Sequence, residues 1–405
     1  MNPNTQPSAG FKPASTATPV LVLGGKDNSL AIARNLGKLG IAIRVSGPAN
    51  CWGMNSRHCA ERFPVPFGSG AAAFWTDLLL GPESGRLHGH IIFAGSDEAL
   101  EFIAEHREQL AEHYLLAVSA PQLIMDLLDK QRTLELAREA GVATPGFWKI
   151  GTLNDLELIR DELKFPLIVK PVHSHKFVRA FGKKLFIIED GYADLAAKVG
   201  LALEHGLDVA IVELIPGPDT LLSSYNSFIN EEGESLLDFT KRMIRRYPVN
   251  SGNGCYHIAE WEPETARLGK KLFDYLGVRG FANVEFKRDP RDGQLKIIEI
   301  NGRFTAAHEL FVRSGAPADL IAYCSLTGQP GPKVTDFRQG LRLWYPILDF
   351  LAFLQLRQRG ELNFSGWVKS IVGKPVVLAL VRLDDPRPAL CAVAANIQRL
   401  IRGRG

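Results

Sequence analysis

The segment FANVEFKRDPRDGQLKIIEING, residues 281–302, constrains the fold more than any other stretch of the chain. Two runs rich in apolar residues, Phe281 to Lys287 and Gln294 to Ile300, flank a turn rich in Asp, Pro and Gly. Such a pattern predicts a β-hairpin. The hairpin is expected to bring Glu285 close to Glu299 on the same face.

The second strand of this hairpin alternates apolar and polar side chains. Because successive side chains project to opposite faces of a strand, Glu299, Asn301 and Arg303 are expected on one face. Ile298 and Ile300 are expected on the other face, toward a core. A solvated outer face shows the same alternation, so the pattern alone leaves both interpretations open.

The polar side chains of the hairpin have the chemistry of a metal site. Two carboxylates that are held together repel each other unless a proton or a cation lies between them. The oxygens of Glu285, Glu299 and Asn301 are hard ligands, and they suit Mg²⁺ shared with substrate phosphates. Arg303 can then meet a phosphate oxygen. The hairpin therefore predicts half of a site for a nucleotide and a metal ion.

Length, composition and charge narrow the class of protein. The 405 residues predict two to three domains, and a hydrophobic fraction of 46% with 22% charged residues is ordinary for a globular chain. A formal net charge of +3 is too small to indicate a nucleic-acid or membrane partner. The five cysteines are odd in number, widely spaced and form no CxxC, which favours reduced thiols in a cytoplasm over disulfides or a zinc site.

Neither a secretion signal nor a membrane span is expected. Residues 1–18 are polar and rich in Pro, Thr and Ser, and they are expected to form a disordered tail. The longest apolar window, YPILDFLAFLQL, is interrupted by Asp349 and is shorter than the roughly 20 residues that a membrane helix needs. The chain is therefore expected to be soluble and cytoplasmic.

The segment PVLVLGGKDNSLAIARNLGKLGIAIRVSGP predicts a βαβ unit near the N-terminus. A dinucleotide site is disfavoured there, because GxGxxG is missing and the second strand ends at Val45 and Ser46 without an acidic residue. Further on, Asp97 and Glu98 follow a predicted strand at the edge where open α/β sheets bind ligands. A helix cap formed by Ser96 and Asp97 is an equal alternative.

From Asp126 onward the pattern changes. DLLDKQRTLELAREAGVATPGFWKI predicts an amphipathic helix closed by Gly141 and Pro145, followed by a strand. FPLIVKPVHSHKF predicts a buried strand that carries Lys170 into a turn bounded by proline. A strand, a Pro-Gly turn and a second strand follow in DVAIVELIPGPDTLLSSYNSFIN, before a basic segment and the hairpin.

The motifs DK, PLIVKP, VELIPGPD, VEF and EINGR occur in an order that resembles the ATP-grasp superfamily. The opening LGGKDNSLAIARNLGKLGI is similar to the pre-ATP-grasp domain of such enzymes. The resemblance covers about residues 18–330. It implies an α/β, Rossmann-like pre-ATP-grasp domain at 19–120, an α+β ATP-grasp fold at 121–333 and a small mixed C-terminal extension at 334–405. The chain is most similar to carboxylate–amine ligases of the D-aspartate ligase kind.

The resemblance also implies roles for individual residues. The metal ligands are Glu285, Glu299 and Asn301, and Arg303 faces the transferred phosphoryl group or an acyl phosphate. The remaining roles are those of the nucleotide lysines Lys130 and Lys170, the adenine hinge Glu213, Leu214 and Ile215, and the ribose-binding Asp219. A solvated lysine is the alternative for each of the two nucleotide lysines, and an ordinary turn aspartate is the alternative for Asp219.

One departure from the superfamily concerns the loop over the phosphates. This loop is usually rich in glycine, whereas KPVHSHKFVRAFGKK has one glycine and several basic side chains, among them Lys176 and Arg179. Cationic side chains, Lys176 in particular, are therefore expected to bind ATP there, beside any backbone amides. A metal site at the two histidines of this loop is disfavoured. The basic segment TKRMIRRYPVNSGNG can supply Lys241 or Arg245 to the phosphates, and Lys241 is the catalytic candidate.

The resemblance implies a reaction in which ATP phosphorylates a carboxylate and an amine attacks the acyl phosphate, giving an amide, ADP and phosphate. The implied cofactors are ATP and Mg²⁺, with Mn²⁺ as a substitute, and the implied partners are a small-molecule carboxylate and an amine. No nucleic acid or membrane span is expected, and the sequence allows a homo-oligomer. A bicarbonate-activating carboxylase or carbamoyl-phosphate-forming enzyme and a non-catalytic ATP-binding module remain alternatives.

Overall fold

Three β-sheets organise the chain in the computed structural model, which describes residues 11–67, 70–171, 185–207 and 209–402. The first sheet is parallel, with the strand order β3-β2-β1-β4-β5. Its strands β1 and β4 are fully buried, and helices cover both faces of the sheet, as parallel sheets require. Its elements are β1 (Val20–Leu23), α1 (Asp27–Lys38), β2 (Ile43–Gly47), β3 (Cys59–Pro64), α2 (Ala71–Leu80), β4 (Ile91–Ala94), α3 (Asp97–Glu105), α4 (Arg107–Ala111) and β5 (Leu115–Leu116).

Two helices and a second, four-stranded sheet follow. The sheet is antiparallel with the order β6-β9-β7-β8, and it has a small core of its own beneath one long helix. The elements are α5 (Pro121–Leu128), α6 (Lys130–Glu139), β6 (Phe147–Ile150), α7 (Leu153–Leu158), β7 (Leu167–Pro171), β8 (Phe186–Ile188), α8 (Tyr192–Glu204) and β9 (Val209–Glu213).

The third sheet has seven strands in the order β14-β13-β10-β11-β12-β15-β16. The predicted hairpin of residues 281–302 is confirmed as β13 and β14. The elements are β10 (Leu222–Ile229), β11 (Ser235–Tyr247), β12 (Asn253–Ala259), α9 (Pro263–Leu276), β13 (Gly280–Arg288), β14 (Leu295–Asn301), α10 (His308–Arg313), α11 (Ala318–Leu326), β15 (Arg342–Trp344), α12 (Pro346–Gln358), α13 (Phe364–Ile371), β16 (Val376–Leu378) and α14 (Arg387–Arg402).

The helix predicted from Asp126 to Gly141 is wrong in one respect, because it is two helices. The Asp129 side chain accepts hydrogen bonds from the amides of Gln131, at 2.8 Å, and Arg132, at 3.2 Å. An aspartate in this position caps a new helix, so α5 ends and α6 begins there. The break places Lys130 at the first residue of α6.

The segment after residue 334, predicted as a separate extension, is built into the third sheet. Strand β15 pairs with β12, and β16 pairs with β15. A buried ion pair also joins this segment to β11, since the Arg245 Nε and Nη2 atoms donate to the two carboxylate oxygens of Asp349 at 2.6 and 3.1 Å. The division at 334 thus marks a change of sequence pattern, whereas the sheet continues across it.

The first and third sheets share one hydrophobic core, to which helices α1, α10 and α11 contribute. A buried arginine strengthens the connection to the end of the chain. The Arg34 side chain of α1 is fully buried, and it donates to Asp385 Oδ2 and to the Ala379 carbonyl, both at 3.0 Å. Among the residues described, no helix is both long and apolar enough to cross a membrane.

Candidate functional site

A row of polar side chains crosses four strands of the third sheet. Glu299 of β14 is paired in register with Glu285 of β13, Glu285 with Ser224 of β10, and Ser224 with Lys241 of β11. Residues opposite each other on neighbouring strands project to the same face. The predicted proximity of Glu285 and Glu299 is therefore confirmed, and Lys241 lies on their face.

Two lysines approach these carboxylates from opposite sides. Lys241 Nζ lies 3.8 Å from Glu285 Oε1, and Lys130 Nζ at the start of α6 lies 3.5 Å from Glu299 Oε2. Burial lowers the pKa of Lys241, while the charges of Glu285 and Glu299 raise it. Burial also raises the pKa of Glu285, which Lys241 opposes and Glu299 reinforces. Burial thus disfavours the charged form of both Glu285 and Lys241, and each is partly compensated by the other.

A β-bulge changes the predicted alternation along β14. The register between β13 and β14 shifts next to Glu285, so that Phe286 pairs with Ile297 and Ile298 has no partner opposite it. Ile297 and Ile300 are buried, whereas Ile298 is 36% exposed. The expectation that Ile298 faces the core is therefore wrong, because the extra residue of a bulge rotates the strand locally. The same rotation directs Glu299 toward the cavity.

Asn301 and Arg303 continue the site beyond the carboxylates. Asn301 Nδ2 donates to Glu299 Oε1 at 3.2 Å, and Arg303 Nη2 donates to Asn301 Oδ1 at 3.2 Å. Arg303 was expected on the same strand, but β14 ends at Asn301 and Arg303 follows Gly302 in the next turn. Arg303 Nε also donates to Asp97 Oδ1 at 2.6 Å. The guanidinium thus joins the third sheet to the first domain.

Glu299, Asn301 and Arg303 line one cavity of about 120 Å³ between the first domain and the hairpin. Its polar lining comes from the start of α3, the start of α6 and the end of β14, in the residues Asp97, Lys130, Glu299, Asn301 and Arg303. No group of three or more His, Cys, Asp or Glu side chains in the described part of the chain forms a metal cluster. A metal site here needs the amide oxygen of Asn301 as well as the two carboxylates.

The sequence identified Asp97 without finding its partner. Ser96 Oγ accepts a hydrogen bond from the Ala99 amide at 3.2 Å, so Ser96 caps α3, in agreement with the helix-cap interpretation of the sequence. Asp97 points instead to Arg303, at the carboxyl end of β4 where the other interpretation placed a ligand edge. The signal was its position after a buried strand, but its partner lies 206 residues away.

The hinge residues Glu213 and Leu214 are engaged within the fold. The amide of Glu213 donates to the Gly146 carbonyl at 2.8 Å, and that of Leu214 donates to the Pro166 carbonyl at 2.9 Å. The buried Glu213 carboxylate accepts from the Gly146 amide at 2.9 Å. The carbonyl of Ile215, the third hinge residue, accepts a hydrogen bond from Lys287 Nζ of β13 at 2.8 Å. Adenine recognition by this hinge stays a prediction.

Asp219 is buried at the start of a short 3₁₀ turn. Its carboxylate accepts from Arg246 Nε at 2.7 Å and from the Asn250 amide at 3.4 Å, so it holds the loop between β11 and β12. Its role toward a ribose stays a prediction. Arg245, the alternative to Lys241 as a phosphate ligand, is instead engaged by Asp349, whose carboxylate accepts from its Nε and Nη2 atoms. Its role toward the phosphates stays a prediction.

Two predicted ATP-binding lysines fall outside the described side chains. The backbone of Lys170 belongs to β7, as predicted, but its side chain is outside the described residues. Lys176 and Arg179 of the basic loop lie in residues 172–184, which are also outside the described part. Their roles remain predictions from the resemblance.

Curated relatives match part of the chain. A D-aspartate ligase from Enterococcus faecium is 24% identical over 226 residues, which are 53% of this chain and 53% of that protein. A D-alanine–D-alanine ligase from Francisella philomiragia is 28% identical over 185 residues, 43% of this chain and 56% of that protein. The chain spans about half the length of the curated relatives it matches. No protein-family model matches it.

Solved structures match over a larger part. An L-amino acid ligase from Bacillus licheniformis has a TM-score of 0.56 at 18% identity, covering 78% of this chain and 76% of that one. An N5-carboxyaminoimidazole ribonucleotide synthetase from Thermus thermophilus has a TM-score of 0.58 at 14% identity, covering 79% and 81%. At such identities the likeness shows the fold.

The curated relatives named above are ligases, and an L-amino acid ligase has a similar fold. The chain is thus similar to carboxylate–amine ligases in about half of its sequence and in its fold. This similarity agrees with the ATP-grasp resemblance that its motifs imply.

Proposed function

We propose that the protein is an ATP-dependent ligase that activates a small-molecule carboxylate as an acyl phosphate and joins it to an amine, releasing ADP and phosphate. The observation that carries the proposal is the row from Glu299 to Lys241, whose Glu299 end lines one cavity together with Lys130, Asn301 and Arg303. The names of the relatives, D-aspartate ligase, D-alanine–D-alanine ligase and L-amino acid ligase, support the same chemistry.

The central difficulty of this reaction is electrostatic. A carboxylate and a triphosphate are both anions, so they approach only where cations reduce their repulsion. Lys130 and Arg303 supply positive charges at the cavity, and Lys241 lies on the same face of the sheet, 3.8 Å from Glu285. Lys241 is held in place by burial and by Glu285, so little reorganisation is needed when charge moves during the reaction. Arg303, with its planar fork, is placed to bind an oxygen of the phosphoryl group.

The donor set around the hairpin fits Mg²⁺. Glu285 and Glu299 are paired carboxylates, and Asn301 Oδ1 faces the positively charged Arg303 and the cavity. These three side chains would hold the ion, which when bound supplies charge neutralisation at the phosphate oxygens. A structure of N5-carboxyaminoimidazole synthetase from Staphylococcus aureus was determined with ADP, and that of a biotin carboxylase domain with MgADP. Nucleotide and Mg²⁺ are therefore part of the proposal, and Mn²⁺ is its spectroscopic substitute.

The experiment that tests the proposal is a matrix of carboxylates and amines, D- and L-amino acids first, assayed for ADP release. We expect ADP release that requires both substrates. With the active carboxylate labelled with ¹⁸O, one labelled oxygen should appear in the released phosphate, because the acyl–oxygen bond breaks when the amine attacks. ADP release without label transfer would exclude the acyl phosphate.

The same matrix separates the rival classes. ADP release that depends on bicarbonate in place of another carboxylate would indicate a bicarbonate-activating enzyme, for which a biotin carboxylase domain and a pyruvate carboxylase of similar fold are the precedents. Nucleotide binding without ADP release under any combination would indicate a binding module. We propose a cytoplasmic location, in keeping with the five free cysteines, three of them buried. Gel filtration with light scattering would determine whether the chain forms a homo-oligomer.

A further inference from the structure

Two asparagines with fully buried side chains lie beside Asn301, one on each of the next two strands of the sheet. Asn283 of β13 is paired in register with Asn301, and Asn226 of β10 is paired with Asn283. Both Asn226 and Asn283 have 0% exposure. A primary amide buried without partners is costly, so two of them in a sheet interior imply a network that satisfies them.

The three amides form a continuous ladder of hydrogen bonds across the strands. Asn301 Nδ2 donates to Asn283 Oδ1 at 3.3 Å, and Asn283 Nδ2 donates to Asn226 Oδ1 at 2.8 Å. The ladder ends at the Phe239 carbonyl, which accepts from Asn226 Nδ2 at 3.4 Å. Each amide is thus a donor on one side and an acceptor on the other.

The direction of this ladder is set by its ends. A backbone carbonyl accepts hydrogen bonds and cannot donate, so Phe239 requires the nitrogen of Asn226 on its side. At the other end, the Glu299 carboxylate requires a donor and the Arg303 guanidinium requires an acceptor. All three constraints agree on one orientation, in which Asn301 turns its nitrogen toward Asn283 and Glu299. Its oxygen is left facing the cavity.

We propose that Asn226 and Asn283 are positioning residues that fix the amide of Asn301 with its oxygen toward the cavity, where that oxygen binds the divalent cation. The inference rests on the metal site of the proposed function and adds to it the residues that orient one ligand. Hydrogen bonds behind a ligand commonly decide its orientation and basicity. An amide ligand needs such support, because its two ends differ and a carboxylate's do not.

The choice of an amide at this position also has an electrostatic reason. Glu285 and Glu299 already place two carboxylates on one face, opposite each other on neighbouring strands. A third carboxylate at position 301 would add repulsion among fixed charges. An asparagine adds a ligand oxygen without charge, provided that the ladder keeps the oxygen outward.

The test compares two backgrounds by electron paramagnetic resonance titration of Mn²⁺ in the presence of ADP. In the wild type, Asn283→Leu breaks the ladder with little change of volume, and the Mn²⁺ affinity should fall about tenfold, as for other residues behind a metal ligand. In Asn301→Asp, either end of the side chain offers an oxygen, so the same substitution should leave the affinity of that background unchanged.

A matched control removes a buried hydrogen bond away from the cavity. Thr265→Val deletes the hydroxyl that contacts Ser223 Oγ at 2.7 Å, and it should lower stability without changing Mn²⁺ affinity. If Asn283→Leu does not fold, Asn283→Ser serves instead, because a hydroxyl can rotate and imposes no direction on Asn301. The contrast between the two backgrounds is expected to be the same.

Two results would overturn the inference: an equal loss of affinity in both backgrounds, which indicates a general structural role, or no loss in either. Failure of the metal site itself is recognised separately. If Glu299→Gln and Asn301→Ala leave Mn²⁺ binding unchanged, the proposed metal site is wrong. If they abolish it while Asn283→Leu has no effect, the metal site stands and the ladder has no positioning role.

Discussion

The buried pair between Arg245 and Asp349 provides a quantitative prediction. The Arg245 and Asp349 side chains are 6% and 0% exposed, and two hydrogen bonds of 2.6 and 3.1 Å join them. Trp367 Nε1 donates to the same carboxylate at 2.9 Å, and the guanidinium lies over the ring of Tyr256. Asp349→Asn preserves the shape but removes the charge and turns an NH₂ group toward the guanidinium.

The expected effect follows from the burial. Removing one partner of a buried ion pair leaves the other charge uncompensated, and this typically costs about 3–5 kcal/mol. The control is Glu234→Gln, since Glu234 and Lys333 form an ion pair at 2.6 Å but are both more than half exposed. Exposed pairs of this kind contribute about 0–1 kcal/mol. Asp349→Asn should therefore lose several times more free energy of unfolding than Glu234→Gln.

The assay is urea unfolding followed by circular dichroism, with the thermal midpoint as a second readout. The double variant Arg245→Met with Asp349→Leu removes both charges and should recover much of the lost stability. A loss for Asp349→Asn within about 1 kcal/mol of the control would refute the reasoning. Nucleotide affinity should be the same in Asp349→Asn and the wild type, because two donors of Arg245 are directed at Asp349 within the fold.

Three further predictions concern the site and the first domain. Glu299→Gln should abolish ATP turnover and leave the thermal midpoint nearly unchanged, since it removes one of two repelling carboxylates. Arg303→Lys should bind MgATP within several-fold of wild type but lose about a hundredfold in turnover, as when one oxyanion donor is removed. Burial raises the pKa of Asp27 from 3.8 to about 6, so the unfolded state binds fewer protons in this window and stability should fall as pH rises through it. In Asp27→Asn, unfolding measured between these pH values should show no such fall.

The hairpin could be predicted from the sequence because its signals are local. The turn between its strands is held by Asp289, whose amide donates to the Gln294 carbonyl at 2.8 Å and whose carbonyl accepts from Gly293 at 2.8 Å. The turn residues fix the register of the strand pairs next to the turn, up to Phe286 and Ile297, whereas the opposition of Glu285 and Glu299 also depends on the bulge at Ile298.

The features that could not be predicted from the sequence are contacts between residues far apart in the chain and the insertion of a single residue into a strand. The bulge at Ile298 adds one residue to an alternating pattern, and no residue type marks it. Arg245 is one of several basic residues in its segment, and its partner Asp349 is 104 residues away. Asn283 lies between Ala282 and Val284, and Asn226 follows Tyr225, so a polar side chain at either position is expected to face outward, yet both are in the interior. Their role emerges only when the strand order is known.

The contact between Arg34 and Asp385 has a consequence for the order in which the chain can complete its fold during synthesis. Arg34 is synthesised early, whereas Ala379 and Asp385, which bond it, follow 345 and 351 residues later. Until that segment has been made, burial of Arg34 would leave its charge without a partner, which a folded domain tolerates poorly. The nascent first domain should therefore stay loosely packed around α1, and protease resistance there should be acquired only after the segment that contains Asp385 has left the ribosome.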